Sequence, residues 1–337
     1  MEILYLTDIH DNLKRLRYVI RNTEADLYII SGDLIYKAFF TETKLYEFVT
    51  LQEEFYYYLS KKKIRGTPSE LAKSILRMPA NYSSEYHLKA RRYQVLFQQA
   101  ASNMKDKYQI LKDLVEKYAK AEVMFVPGNY DMDLQYTALY PYDLHKKCRD
   151  INGMKFCGYG GAPIATSGIP EMVSVMFYEY SVAGKLHSEP YEFFREHKPD
   201  VLMLHNPAYA TLDKIPSFGP VGSIGIRQYL DEYDPRLVLS GHVHSDYGVM
   251  KLGNSYCINP GNFGAVDSMT GWDPGGFFCR IKIEKDATNR VNLNSVKIYK
   301  CEKKEISPLL EVVVDGKLMK ENILNDELYQ ITGGYCR

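Results

Sequence analysis

Short, densely apolar runs alternate along this chain with residues that carry chemistry. Residues 2–7 are almost wholly apolar and lead into Asp8-Ile9-His10. The arrangement recurs four times: 26–31 leads to Gly32-Asp33, 122–127 to Gly128-Asn129-Tyr130-Asp131, 199–204 to His205, and 235–240 to Gly241-His242-Val243-His244. Short runs with few polar positions read as strands buried in a largely parallel sheet. Behind the first strand, Leu13, Leu16, Val19 and Ile20 recur at helical spacing, with Asp11 or Asn12 as cap, and for Asp11 a cap is favoured over an acid standing behind the residues that carry chemistry. The chain therefore opens β-α-β.

Residues 36–121 follow a different pattern, rich in Lys, Gln, Glu, Leu and Tyr and punctuated by Gly66, Pro68 and Pro79. Tyr93, Leu96, Phe97, Ala100, Met104, Tyr108, Leu111, Val115 and Tyr118 recur every three or four residues, which predicts one long amphipathic helix. A shorter helix is expected over 44–61. This helical insertion either packs on the core or forms a cap or dimer arm. Further on, a strand from Met154 runs into a glycine turn before Pro163, and a helix is expected near 191–196. Strands recur at 247–252, 255–258, 276–283 and 291–299, separated by turn signals such as Leu-Gly-Asn-Ser. Residues 301–337 show no clear pattern, and no internal repeat is visible.

The chain has 337 residues, 45% of them hydrophobic, enough for a large core. Lys plus Arg and Asp plus Glu number 42 each, so no strongly basic face for duplex nucleic acid is announced. Met1 leads straight into the first strand without a basic leader, and the apolar runs fall short of a bilayer span. Six cysteines without a CxxC pair suit a reduced protein better than a disulfide framework. The expectation is a soluble, cytoplasmic protein with no membrane association.

In open α/β sheets, ligands bind beyond the carboxyl ends of the strands, so residues far apart in sequence meet at one rim. Asp8 and His10 are two apart, which puts both on one side of an extended segment; His242 and His244 repeat that spacing. Gly32 and Gly128 precede Asp33 and Asn129, letting the backbone turn tightly at the site. Two Asp, one Asn and four His exceed the needs of one ion, and a shared carboxylate lets them hold two. Imidazole with carboxylate suits Mn, Fe, Zn or Ni rather than Ca. Two such ions about 3.5–4 Å apart form the clamp used for in-line displacement at phosphorus. Each tripeptide alone is weak, but four of eight histidines falling in this order is not.

The ordered series Asp8-x-His10, Gly32-Asp33, Gly128-Asn129-x-Asp131, His205 and Gly241-His242-x-His244 resembles the calcineurin-like metallophosphoesterase superfamily. Asn259-Pro260-Gly261 is similar to a segment of its small prokaryotic phosphodiesterase branch. The likeness covers roughly 1–35 and 121–300, which makes 1–300 one metallophosphoesterase domain interrupted by the 36–121 insertion and followed by a 301–337 extension. It implies a four-layer α/β/β/α sandwich. It further implies one ion on Asp8, His10, Asp33 and His244, and a second on Asp33, Asn129, His205 and His242. Asp33 would bridge them, and a metal-bridging hydroxide would attack the ester.

Tyr130 stands where this family usually has a histidine that protonates the leaving oxygen. A phenol with a pKa near 10 donates a proton less readily than an imidazolium titrating near 6.5. Asn129, Tyr130 and Asp131 are accordingly the candidate catalytic residues, with diesters or activated esters preferred. Asp131 would normally orient that histidine; its bland reading is a turn cap. The Asp-Arg of the Ser/Thr protein phosphatases is absent after Gly32-Asp33. The expected partner is a small phosphate ester or nucleotide. The alternatives are a non-catalytic metal-binding scaffold and a nuclease, the latter supported only by Lys61-Lys62-Lys63-Ile64-Arg65 and by Lys89, Arg91 and Arg92. The long helix permits a homodimer without requiring one.

Overall fold

Each apolar run becomes a strand, and the parallel pairing of those strands builds the site. The computed structural model of the chain describes all residues except 217, 269–270, 289, 317, 329–334 and 337. Glu2–Thr7, Leu27–Ser31 and Glu122–Val126 pair in parallel, Ile3 beside Leu27 and Leu27 beside Glu122. The antiparallel strands Phe277–Lys285, Val291–Glu302, Glu305–Asp315 and Leu318–Ile323 extend this sheet beyond Glu2–Thr7. In the second sheet, Met154–Tyr159, Val201–Leu204, Leu237–Leu239 and Ser255–Asn259 run parallel to one another. Lys147–Ile151 flanks them on one side; Gly248–Leu252 and Tyr335–Cys336 flank them on the other. All five strands that end in candidate ligands thus have at least one parallel neighbour.

The sheets pack face to face. Ile3, Tyr5, Ile29, Met124 and Val126 of the first meet Phe156, Val201, Met203, Leu239 and Ile258 of the second in one buried cluster. The Tyr5 hydroxyl reaches across the layers to the Ser240 carbonyl at 2.8 Å. On the outer face of the first sheet, Leu4, Leu6, Tyr28 and Ile30 pack with helices α1 (Leu13–Asn22), α2 (Glu42–Lys62), α3 (Pro68–Arg77) and α4 (Ser84–Tyr118). On the outer face of the second, Cys157, Leu202 and Val238 pack with α5 (Glu189–His197) and α6 (Ile224–Tyr233). The result is the four-layer α/β/β/α sandwich.

The predicted stripe on α4 is buried: Tyr93, Leu96, Ala100, Met104, Tyr108 and Leu111 run into the cluster on the first sheet. Two helices have no counterpart in the predicted elements. Thr67 caps α3 and forms a capping box with Glu70, with Pro68 in its first turn. That proline punctuates the pattern like a break, yet inside the box it starts a helix. Ser223 caps α6, whose Gly225 masks it. Residues 305–323 hold two strands whose pattern is blurred by Pro308 and the charged edge.

Two expectations are corrected. Asn12, not Asp11, caps α1, accepting from the Arg15 N–H at 3.4 Å. Cys148 and Cys157, expected as free thiols, are directly opposite across an antiparallel pair and joined as a disulfide. Cys257, Cys279 and Cys301 are free and buried. Among the described residues, no helix is long and apolar enough to cross a membrane.

Candidate metal centre

The seven candidate ligands converge on one rim. Asp8, His10 and His244 present ligand atoms within 4.8 Å of one another, and so do Asp33, His205 and His242. In the first group, the Asp8 Oδ1 lies 3.4 Å from His244 Nε2 and 3.8 Å from His10 Nε2. In the second, His205 Nε2 lies 3.5 Å from Asp33 Oδ1 and 3.1 Å from His242 Nδ1. The Asn129 Oδ1 is 2.9 Å from the same His205 nitrogen, so Asn129 joins this group. Its amide nitrogen donates to the Thr166 hydroxyl at 2.9 Å, which turns the oxygen inward.

The backbone is bent to make this convergence. Asp8, His10, Asp33 and His242 all have positive φ, between 37° and 65°, in a region that side chains other than glycine rarely occupy. Strain of this kind persists where the surroundings over-determine it, typically at sites. The motif glycines explain the close approach. A Cβ at Gly128 would fall 2.1 Å from both the backbone nitrogen and Oδ1 of Asp33. One at Gly241 would fall 2.4 Å from Asp8 Oδ2.

These residues fit divalent ions. The two oxygens of Asp8 differ: Oδ2 accepts from the Thr7 hydroxyl at 2.6 Å and the His242 N–H at 3.1 Å. Oδ1, equally buried, has no hydrogen-bond partner among the described residues and faces the histidines. A buried carboxylate oxygen left bare costs free energy unless a cation meets it. Burial holds His10 down to about 3 and His242 down to about 4, with the charge of nearby His244 adding to both. Burial likewise pushes His205 well down. Burial also opposes protonation of His244, but Asp8 outweighs it and pulls that imidazole up. Neutral imidazoles at physiological pH are the form that binds metal. Burial and the charges of Asp8 and Asp131 push the Asp33 carboxyl well up, which a cation there would reverse.

The remaining candidates separate by position. Tyr130 is 39% exposed and lines a cavity of about 260 Å³ together with His10, Asp33, His242 and His244. Burial, Asp33 and Tyr36 push its phenol up, so it keeps its proton. Asp131 is fully buried and does not line the cavity. Its carboxylate accepts from the backbone N–H groups of Leu34 and Gly128 at 3.0 and 2.7 Å and from the Tyr108 hydroxyl at 2.9 Å. It ties the Asp33 loop, the Asn129 loop and α4 together. Asp11 pairs with Lys107 of α4 at 2.5 Å and accepts from the Tyr36 N–H.

Tyr36, Asp267 and Asp273 also line the cavity and were not anticipated. Their local sequences carry no signal; Tyr36 is placed by its contacts with His10 and with the backbone N–H of Asp267. Asn259, by contrast, stands in a recognisable motif, and its amide holds the histidine loop through the Val243 and Asp246 carbonyls at 2.9 and 3.0 Å.

Comparison with known proteins bears on the fold and the family. The family model described as calcineurin-like phosphoesterase matches residues 99–246. An uncharacterized protein of Methanocaldococcus jannaschii is 26% identical over 159 residues, 45% of this chain and 69% of that one. A solved crystal structure covering 87% of this chain and 98% of its own superposes with a TM-score of 0.53 at 15% identity, which shows a shared fold. The crystal structure of TT1561 of Thermus thermophilus covers 87% of this chain and 97% of its own, with a TM-score of 0.41 at 14% identity. Residues 99–246 of this chain thus match the calcineurin-like phosphoesterase family model, and its sandwich is a fold shared with the first of these crystal structures.

Proposed function

We propose that the chain is a binuclear metal-dependent phosphodiesterase acting on a small phosphate ester or nucleotide. The family carries metal-dependent phosphoester chemistry. The observation that supports two ions is the pair of ligand triads side by side, Asp8-His10-His244 and Asp33-His205-His242, with Asp8 Oδ1 bare between imidazoles. Asp33 is the candidate bridge and Asn129 completes its group. When bound, the ions supply an activated water and neutralise charge on the phosphoryl oxygens.

The residues of the chain set what can react there. Tyr36, Ile215, Val243 and Val266 give the cavity an apolar wall that receives one arm of an ester. Asp267 and Asp273 line the same cavity. Two carboxylates there repel a dianionic monoester more than a monoanionic diester, which favours the diester. Tyr130, raised in pKa and half open to the cavity, holds its proton and orients the departing oxygen without donating readily. Asp131 acts at one remove, by fixing the loops that carry Asp33 and Asn129.

The direct test strips the protein with chelator and restores Mn, Ni, Zn and Mg singly. Bis-aryl phosphate turnover should return with at least one of them, well above mono-aryl turnover. The same ion at a hundredfold excess over its Kd should stabilise the fold by about 2.7 kcal/mol in a thermal melt. A stabilising ion without turnover would indicate a metal-binding scaffold instead. The leaving-group argument has its own check. Tyr130→His should raise kcat/KM for alkyl esters by about a hundredfold, the low end of general-acid contributions, and change aryl esters little. An unchanged leaving-group dependence would refute the role given to Tyr130.

A further inference from the structure

The balanced net charge of this chain hides a local imbalance. A groove of about 690 Å³ runs along α1, lined by Lys14, Arg17 and Arg21 from the helix and by Lys303 and Lys304 from the opposite wall. None of these five forms an ion pair among the described residues, and no carboxylate lines the groove. The nearby Glu302 pairs with Lys300, whose hydrogen bond lowers its carboxyl, helped in part by the charges of Arg15 and Lys303. The basic residues noted first in the sequence behave differently. Lys89 pairs with Glu54 and Glu85, and Arg92 with Glu47. The cationic groove is thus built from segments nearly the whole chain apart.

Its construction points to a ligand. Lys303 and Lys304 form the two-residue turn between Val291–Glu302 and Glu305–Asp315, with φ of 45° and 72°. Such turns favour Asn and Gly, and lysine occupies them at conformational cost. Like charges crowded in one concavity also repel, and a concave wall focuses their field outward. The walls are fixed: the Tyr18 hydroxyl donates to the Lys304 carbonyl at 2.5 Å. Lys14 to Arg21 spans about 10 Å of helix, long enough for successive anionic groups. Arg15, on the same helix, donates to the Phe263 and Pro274 carbonyls at 2.6 and 3.1 Å, next to Asp273 of the metal cavity.

We infer that this groove binds a linear chain of phosphates, the shared chemistry of single-stranded nucleic acid and inorganic polyphosphate. Binding here needs neither metal nor turnover, so it stands or falls apart from the phosphodiesterase reading. The probes are a fluorescent oligothymidylate, read by anisotropy, and polyphosphate as a competitor. Each binds at low salt if it is a source of the ligand. Replacing Lys14, Arg17, Lys303 and Lys304 together by alanine should weaken binding at least about tenfold. It should also flatten the slope of log K against log salt by roughly 2.8, about 0.7 per lost phosphate contact. Alanine at Lys61, Lys62 and Lys63 should leave both values unchanged. Lys303→Asn with Lys304→Gly relieves the turn, so it should melt no lower than the wild type while still losing affinity. Equal affinity and salt slope in the groove variants would overturn the inference. So would failure of both probes to bind, or retention only on vesicles of anionic lipid.

Discussion

Asp33→Asn should abolish turnover while leaving a folded protein. The substitution keeps the shape and the acceptor that receives the Tyr130 N–H at 2.9 Å. It removes the charge that the second triad needs and that the first is proposed to share. A loss of at least about a thousandfold in kcat, roughly 4 kcal/mol of transition-state stabilisation, is the expected scale. Metal content by mass should fall by one ion or more. The metal-free variant should melt no lower than the wild type, because Asp8, Asp33 and Asp131 are three buried carboxyls in one neighbourhood and one fewer charge relieves them. Full metal content with undiminished turnover would remove Asp33 from its place at the centre.

Gly128→Ala is expected to damage fold and site together. The added methyl would sit 2.1 Å from the Asp33 backbone nitrogen, an atom that cannot rotate away as a side chain does. Overpacking of this kind costs about 1–3 kcal/mol, so a drop in that range should appear in chemical denaturation. The Asp33 loop must shift to relieve the clash, and displacement of about 1 Å at such a centre costs roughly a hundredfold in rate. Gly184→Ala is the control for rate, since nothing lies within 4 Å of a Cβ there and its positive φ costs only stability, about 1–2 kcal/mol. A Gly128→Ala protein with wild-type stability and rate would show that the loops are not held as tightly as they look.

Much of the site was legible because its signals are local. Asp8-x-His10 and His242-x-His244 depend on spacing within one strand exit, and Gly128 beside Asn129 depends on one missing side chain. Helix α4 was legible for the same reason, since a helical period persists along its whole length without reference to anything else. Asp11 shows where this fails. Its position after the DxH motif suggested a cap, but Lys107, on a different helix, claims the carboxylate. Asp131 is similar: its type and place stand out in the motif, whereas its partners Leu34 and Tyr108 sit on two other elements.

The residues alone determined the apolar strands, the kinds of atom that follow them, and hence the family resemblance and the expected sandwich. Those are properties of short stretches, and hydrophobic period, turn chemistry and ligand type act over a few residues at a time. Only the tertiary structure decided that Asp131 and Lys107 anchor the loops, that Tyr36, Asp267 and Asp273 share the cavity, and that Cys148 meets Cys157. It also decided that Lys14 and Lys304 face one groove. Each of these is a pairing between distant segments, and a pairing has no local signature: it exists only once burial of the two sheets has fixed which surfaces are brought within reach.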